Sequence, residues 1–260
     1  MSLIHKMLRP EDLQHSFEVE PLVNEFVLSY GGELVRDLLP PSPTIDNADY
    51  LFRAANVIVE LKTLEKDAAA PGGVLDKAEK LIEGWIRSGE VGAFTLANPF
   101  LLPREKRRAL QRVYQEPLRR TIKKANRQLR ESAEHLGVPD AHLLLLLAND
   151  GYYTLAAQSA FYFARDILTR EFSHIHGFVY FTVNSYVAVL NDEYARQIWA
   201  TSYAPSSAET LVDFVDDLGH AWFDFFGEKI GGWDDAIRTP DRSIFDGATF
   251  IRSPTGKSAT

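Results

Sequence analysis

Two acids and a lysine stand close together in the segment 48–63, which reads ADYLFRAANVIVELKT. Apolar runs at 50–52 and 57–59 flank four turn residues, so the segment is predicted to form a β-hairpin. Side chains two residues apart on a strand share a face, so Glu60 and Lys62 project together and Leu61 turns towards the core. If Asp49 opens the neighbouring strand, two carboxylates and one ammonium meet at one sheet edge. Such a grouping suits a hydrated divalent cation and a phosphate.

The composition excludes several other kinds of site. With 45% hydrophobic and 12% aromatic residues in 260, the chain is a folded globular protein of one large domain, or one domain with an insertion. No cysteine occurs, which excludes disulfides, zinc–thiolate sites and thiol catalysis and fits a reducing cytoplasm. No apolar stretch has the length of a signal peptide or a membrane span. We therefore expect a soluble, cytoplasmic protein without a membrane partner.

The first half of the chain is predicted to place a helix before the hairpin and another after it. Apolar residues recur at helical spacing over 21–38, which predicts one helix kinked at Gly31-Gly32. The prolines within 40–43 then interrupt regular structure. An amphipathic helix is predicted over about 75–87, and a short strand is a candidate at 93–96.

The second half alternates helices with buried strands. The helical pattern runs through 103–136, and Pro117 is predicted to restart a second helix at its first turn. Continuous apolar runs at 143–148 and 177–183 predict strands buried on both faces, with a helix over 153–171 between them. This order implies a parallel pair of strands with a right-handed crossover.

Ten residues separate Asp49 from the triplet Glu60-Leu61-Lys62. This pattern resembles the signature of the PD-(D/E)xK nuclease superfamily, which has the restriction-endonuclease-like fold. In that family a helix precedes the hairpin, and a helix and a buried strand follow it, as the predicted elements do here. Two departures are evident. Ala48 replaces the usual proline, and 40–47 offers no convincing strand between the first helix and the hairpin. Asp46 is the alternative first acid.

The resemblance implies an α/β fold with a mixed central sheet flanked by helices. The restriction-endonuclease-like core would carry a helical insertion and a helical C-terminal extension, since 192–230 reads as mostly helical and acidic. A single domain over 1–252 would comprise a core of about 21–64 and 117–190, an insertion of about 65–116, an extension of about 191–252 and a disordered tail at 253–260.

The resemblance also implies metal-assisted phosphodiester hydrolysis. Asp49 and Glu60 would hold one or two Mg²⁺ or Mn²⁺ ions, with the Leu61 carbonyl as a further ligand. Lys62 would position or deprotonate a water and stabilise the charge that grows on the phosphate.

Members of the family often add two further residues to this site. One is a glutamate from the first helix, for which Glu25 is the candidate, and the other is a glutamine or lysine from the later helix, for which Gln128 is the candidate. Exposed helix positions without a catalytic role remain the alternative for both.

A basic stretch supplies a surface for nucleic acid. Between Arg104 and Arg130 there are eleven Lys or Arg residues against two acids, in a chain of net charge −8. The residues predicted to contact phosphates are Arg107, Arg108, Arg112, Arg119, Arg120, Lys123, Lys124 and Arg127. The alternative is a solvated basic face that pairs with the acidic cluster of Asp213, Asp216, Asp217 and Asp224.

These features predict a Mg²⁺-dependent nuclease that acts on nucleic acid, with DNA favoured. One alternative is a catalytically inactive nuclease-fold module for nucleic-acid binding or assembly, and another is an unrelated α/β protein whose hairpin acids are surface residues. The aromatic group of Trp222, Phe223, Phe225 and Phe226 is predicted to be core or the contact of a homodimer rather than a platform for base stacking.

Overall fold

A mixed β-sheet with helices on both faces forms the protein, as the sequence predicts. The structure is a computed structural model and describes residues 3–9, 15–39, 46–65, 73–92, 101–153, 155–188, 193–233, 235–238 and 249–252. The predicted hairpin is present as strands β3, Tyr50–Phe52, and β4, which continues to Leu64 as Val57–Leu64. Asn56 closes the turn with a φ of 52°, a conformation that asparagine tolerates well.

The sheet has ten strands within the described ranges. The others are β1 (Leu3–Leu8), β2 (Glu33–Leu34), β5 (His142–Asn149), β6 (Gly177–Thr182), β7 (Ser185–Ala188), β8 (Ala195–Tyr203), β9 (Asp235–Arg238) and β10 (Thr249–Arg252). From one side the order runs β2, β3, β4, β5, β6, β8, with β1 and then β9 beyond β8. β7 pairs with the same strand β8 and also with β10.

Only the centre of the sheet is parallel. β4 pairs with β5 and β5 with β6 in parallel, and every other pairing is antiparallel. The apolar runs predicted as buried strands are β5 and β6, and both are buried on their two faces.

Six helices are described, and four of them cover the sheet in two layers. The bounds are α1 (Val19–Ser29), α2 (Val35–Leu38), α3 (Val74–Arg87), α4 (Arg104–His135), α5 (Ala157–Glu171) and α6 (Glu209–Ile230). α4 and α5 bury their apolar faces with Ile58 and Leu145, whereas α1 and α6 pack with Val57 and Leu144 on the opposite face. None of the described helices combines the length and the apolar content that a membrane crossing needs.

The predicted helix over 21–38 is wrong beyond residue 29. α1 ends at Ser29, and Gly31 has a φ of +84°, which favours glycine and stops the helix. A Cβ on Gly32 would lie 2.6 Å from the Phe52 ring, so the backbone passes too close to β3 for any other residue. Glu33–Leu34 then pairs with β3 as β2, which supplies a strand between the first helix and the hairpin.

Pro117 does not restart a helix, and that prediction is wrong. α4 is one helix of 32 residues with Pro117 inside it. Proline leaves the Val113 carbonyl without its helical hydrogen bond. The next turns bury Leu118, Ile122 and Leu129 completely against the sheet, and this packing outweighs the lost bond.

The prediction of a mostly helical 192–230 is correct for α6 only. Its first part is the strand β8, which lies between β6 and β1 and is buried on both faces. Polar Gln197 and Thr201 are also fully buried there, so no polar–apolar alternation marks the strand. The C-terminal extension thus contributes strands as well as a helix. The candidate strand at 93–96 and the tail at 253–260 lie outside the described residues.

Candidate functional site

Asp49 and Glu60 are neighbours at the end of the hairpin. Tyr50 pairs with Val59, so Asp49 stands opposite Glu60. The Asp49 backbone N–H donates to the Val59 carbonyl at 3.1 Å, and its carboxylate Oδ2 accepts the Leu61 N–H at 2.7 Å. The backbone of β4 therefore aims the Asp49 carboxylate at the acid-x-lysine triplet.

Glu60 is completely buried beneath the α4 layer. It shares a face with Lys62, as predicted, and its Oε1 accepts a short hydrogen bond from the Lys62 ammonium. Its other oxygen, Oε2, receives no hydrogen bond from any residue that the structure describes. The Lys62 side chain is 18% exposed, so the ammonium lies between the buried acid and the surface.

Burial raises the pKa of both acids. Burial, followed by the charge of Asp49, raises the pKa of Glu60 to about 8, and Lys62 only partly offsets this. Burial also raises the pKa of Asp49, against the Leu61 N–H and Lys62, which lower it. Because its pKa is about 8, Glu60 keeps a proton at neutral pH, and a cation that binds there must displace it.

The residues present fit a hard divalent cation. Glu60 Oε2 is a buried oxygen that accepts no hydrogen bond within the described ranges, and the Asp49 carboxylate lies beside it. The Leu61 N–H and carbonyl point to the same strand edge, which places that carbonyl towards Asp49. Nowhere in the described ranges do three His, Asp or Glu side chains gather as a metal site. Two carboxylates with waters are a donor set that Mg²⁺ accepts.

A polar cleft of about 310 Å³ opens beside Asp49. Its walls come from α1, the β2–α2 region, the segment 46–49 and α4. Gln128 of α4 is 6% exposed; its Nε2 donates to the Asn47 carbonyl at 2.7 Å. Within the described ranges Gln128 Oε1 and Asn47 Oδ1 accept no hydrogen bond. Gln128 therefore belongs to the cleft wall and anchors the chain just before β3.

The acid that α1 brings to this cleft is Glu20, which the sequence did not single out. Glu20 lines the cleft, and its charge also raises the pKa of Asp49. Glu25 instead accepts a hydrogen bond from Lys229 of α6 at 2.5 Å and is outside the cleft. Five residues turn a helix by roughly 140° beyond a full turn, so the two glutamates face different directions. The helical pattern alone did not show which end of α1 lies near the hairpin.

Asp46 lies at the rim of the cleft. Its carboxylate accepts a hydrogen bond from Arg127 at 2.6 Å and lies 3.9 Å from the Lys124 ammonium. The structure thus joins Asp49, and not Asp46, to Glu60.

The predicted phosphate-binding residues on α4 divide into groups. Arg119 is bound by Glu171 of α5, and Arg120 by Glu116 of the preceding turn. Only Lys124 and Arg127 contact the cleft, through Asp46. The other four are exposed on α4: Arg107, Arg108, Arg112 and Lys123. The acidic cluster proposed as their partner lies on α6, across the sheet from α4.

The aromatic group at 222–226 is mainly core. Trp222, Phe223 and Phe226 are almost completely buried between α6 and the sheet, and Phe225 packs at the edge of the same core. This apolar group is therefore used mainly inside the protein.

Comparisons of the chain with protein-family profiles, with curated proteins and with solved structures find no match. The function is therefore inferred from the chemistry of the site.

Proposed function

We propose that the protein is a divalent-metal-dependent nuclease that hydrolyses phosphodiester bonds, with DNA as the favoured substrate. The main support is the buried pair of Asp49 and Glu60, with an oxygen that lacks a partner among the described residues and with Lys62 beside it. The order of elements around the pair is a second support. The helix α1, the short strand β2, the hairpin, the helix α4 and the buried strand β5 come in this order, with α2 and α3 inserted between them, and the order resembles that of the PD-(D/E)xK family.

Each residue of the site has a role that its contacts suggest. A Mg²⁺ or Mn²⁺ ion bound by Asp49 and Glu60 would supply Lewis acidity towards the phosphate and lower the pKa of a water. The Leu61 N–H fixes the orientation of Asp49. Lys62 is partly exposed, so its ammonium can approach an incoming phosphate oxygen or orient the attacking water.

The surroundings of the site agree with an anionic polymer as the substrate. The helix α4 carries eleven Lys or Arg residues against four acids, and its cations at the cleft are Lys124 and Arg127. Backbone phosphates are the main source of sequence-independent affinity for nucleic acid. The cysteine-free composition fits a reducing compartment, and we propose that the protein acts in the cytoplasm.

Asp49→Asn, Glu60→Gln and Lys62→Met should each reduce nuclease activity by about 100-fold or more, because each removes a charge from the reacting centre. The measurement is cleavage of plasmid DNA and of single-stranded DNA and RNA, with Mg²⁺, Mn²⁺ or EDTA. Glu25→Gln is the matched control, since it neutralises an acid of α1 that lies outside the cleft.

Two results would contradict the proposal. Cleavage that all three substitutions leave unchanged would mean that the site lies elsewhere or that the activity is a contaminant. Binding of nucleic acid with no cleavage under any metal condition would favour the inactive binding module instead.

A further inference from the structure

We propose that the cleft beside Asp49 receives one nucleotide of a single-stranded nucleic acid, whose neighbouring phosphates bind Arg36 on one rim and Lys124 and Arg127 on the other. This inference rests on the proposed function and names the form of its substrate.

Arg36 lines the cleft, and Lys124 and Arg127 lie at its edge, where both contact the lining residue Asp46. Arg36 of α2 lines the wall formed with α1, and its side chain is 61% exposed. On the α4 side, Arg127 is 56% exposed and Lys124 is 55% exposed. A strand that crosses the cleft therefore meets a cation before and after the nucleotide above Asp49.

Each of these cations is held by an acid that lines the cleft. Arg36 lies 3.7 Å from Glu20, and Arg127 lies 2.6 Å from Asp46. Exposed ion pairs of this kind contribute little stability, so a phosphate can replace the carboxylate at small cost. The acids keep the cations at the rims in the free protein. When a strand binds, its phosphates replace the acids as partners of these cations.

The size and the lining of the cleft favour a single strand over a duplex. Its volume of about 310 Å³ is at the low end of ligand pockets, which makes room for one unstacked nucleotide. Glu60 lies below the surface and is fully buried, so the reacting phosphate must come down to the site. A nucleotide of a duplex must first leave its stack, whereas a single strand needs no such step.

The lining indicates hydrogen bonding to the base. Three amide side chains, Asn24, Asn47 and Gln128, line the cleft, and none of the described residues that line it is aromatic. Amides can pair with the edges of bases.

The test is equilibrium binding in EDTA, where metal-dependent cleavage cannot proceed. The probes are a fluorescent 20-nucleotide DNA strand, the matching RNA strand and the 20-bp DNA duplex. We expect the single strands to bind about 10-fold or more tightly than the duplex at low salt. Arg36→Ala and Arg127→Ala should each weaken single-strand binding about five-fold. Each should also make the slope of the logarithm of the binding constant against the logarithm of salt concentration less negative by about 0.7. Asp46→Asn should tighten binding about three-fold, because it removes the competing carboxylate.

Arg170→Ala is the matched control. Arg170 is an exposed arginine on α5 that binds Asp166 at 2.6 Å, as Arg127 binds Asp46, but it is not part of the cleft. Its substitution should leave binding unchanged. Thermal unfolding of each variant confirms that it is folded before affinities are compared.

The outcomes separate this inference from the nuclease proposal. It is overturned if the duplex binds as tightly as the strands, if Arg36→Ala and Arg127→Ala lose no more affinity than Arg170→Ala, or if no probe binds at low salt. Binding to single strands that depends on both arginines supports it even where no cleavage is found, and that result would remove only the nuclease proposal. A preference for the DNA strand or for the RNA strand also supports the single-strand inference and shows whether the cleft favours deoxyribose or ribose.

Discussion

Glu60 is a carboxylate in a position where an ionised side chain is costly. It is fully buried, one oxygen is bound by Lys62, and the other has no donor among the described residues. Burial and the charge of Asp49 outweigh the attraction of Lys62, so the carboxyl group keeps a proton at neutral pH unless a metal ion replaces it. In the metal-free protein this proton makes the stability of the fold depend on pH.

Glu60→Gln should stabilise the metal-free protein more at pH 8 than at pH 5. The pKa of Glu60 is raised from 4.5 to about 8, so the native state keeps a proton that the unfolded chain releases between these values. Native stability therefore falls as pH rises through this window and levels off above pH 8. Glutamine has the shape of the protonated acid and removes this loss. Thermal unfolding in EDTA should show a gain in Tm that is several degrees larger at pH 8.

Glu25→Gln provides the comparison for that measurement. Glu25 is 58% exposed, so its substitution should change Tm by a similar small amount at both pH values. A gain for Glu60→Gln that is equal at pH 5 and pH 8 would contradict the assignment of the raised pKa.

The sequence predicted the site residues that depend on strand geometry better than those that depend on packing. The period of two along β4 and the hairpin register were enough to bring Asp49, Glu60 and Lys62 together. Glu20 could not be predicted, because its place in the cleft depends on how α1 docks on the sheet. A helical pattern identifies the buried stripe of a helix but gives neither its axial position nor its neighbours.

At the scale of elements, α4 holds the segment that carries Asp49. Ser132 Oγ accepts the Ala48 N–H at 2.7 Å, and Gln128, one turn earlier, donates to the Asn47 carbonyl. These residues lie on the face of α4 that packs towards the sheet. The helix that carries the basic surface therefore also sets the position of the first acid.

Ser132→Ala should lower the free energy of unfolding by about 1–3 kcal/mol, because it leaves the buried Ala48 N–H without an acceptor. It should also reduce nuclease activity, since Asp49 directly follows Ala48. Urea denaturation measures the first effect and plasmid cleavage the second. Ser88→Ala removes an exposed hydroxyl at the end of α3 and should change the stability by less than about 0.5 kcal/mol. Equal effects of the two substitutions would contradict a specific role for Ser132.

Elements with a local pattern were predictable, and elements defined by distant partners were not. The leucine run of β5 and the amphipathic α3 agree with their sequence predictions. β8 carries polar residues that are buried because the strand lies inside the sheet, with Ile198 in the core on one face and Trp199 in the core on the other. The continuity of α4 through Pro117 likewise depends on the sheet beneath it, which no local signal reports.

At the scale of the molecule, one close contact holds α6 to the sheet. A Cβ on Gly219 would lie 2.6 Å from Nε1 of Trp199 and 3.1 Å from Ile4. These partners come from β8 and β1, and both are almost completely buried. Because a rigid indole ring in the core cannot move aside cheaply, glycine is required where α6 crosses the sheet.

Gly219→Ala should destabilise the protein by about 1–3 kcal/mol, since the added methyl group overlaps the Trp199 ring. Gly84→Ala makes the same change inside the helix α3, where a Cβ meets nothing within 4 Å. It should stabilise the protein by about 0.5–1 kcal/mol through the better helix propensity of alanine. Chemical denaturation should therefore show effects of opposite sign, and a stabilising Gly219→Ala would refute the close packing of α6.

The α/β class and the parallel centre of the sheet followed from the sequence, whereas its full width did not. β1 pairs with β8 across about 190 residues, and β9 joins β1 at the far edge. No pattern within either segment encodes such a partner, because a strand pairs through its backbone.

The placement of α4 and α6 on opposite faces of the sheet separates positive charge from negative charge. α4 carries eleven Lys or Arg residues against four acids, and α6 carries six acids against one lysine. A uniform charge of −8 would only repel a polyanion, but separated charge experiences a torque in its field. The protein would therefore turn its α4 face towards a nucleic acid before the two make contact. This orienting effect becomes weaker as salt shortens the range of the electric field.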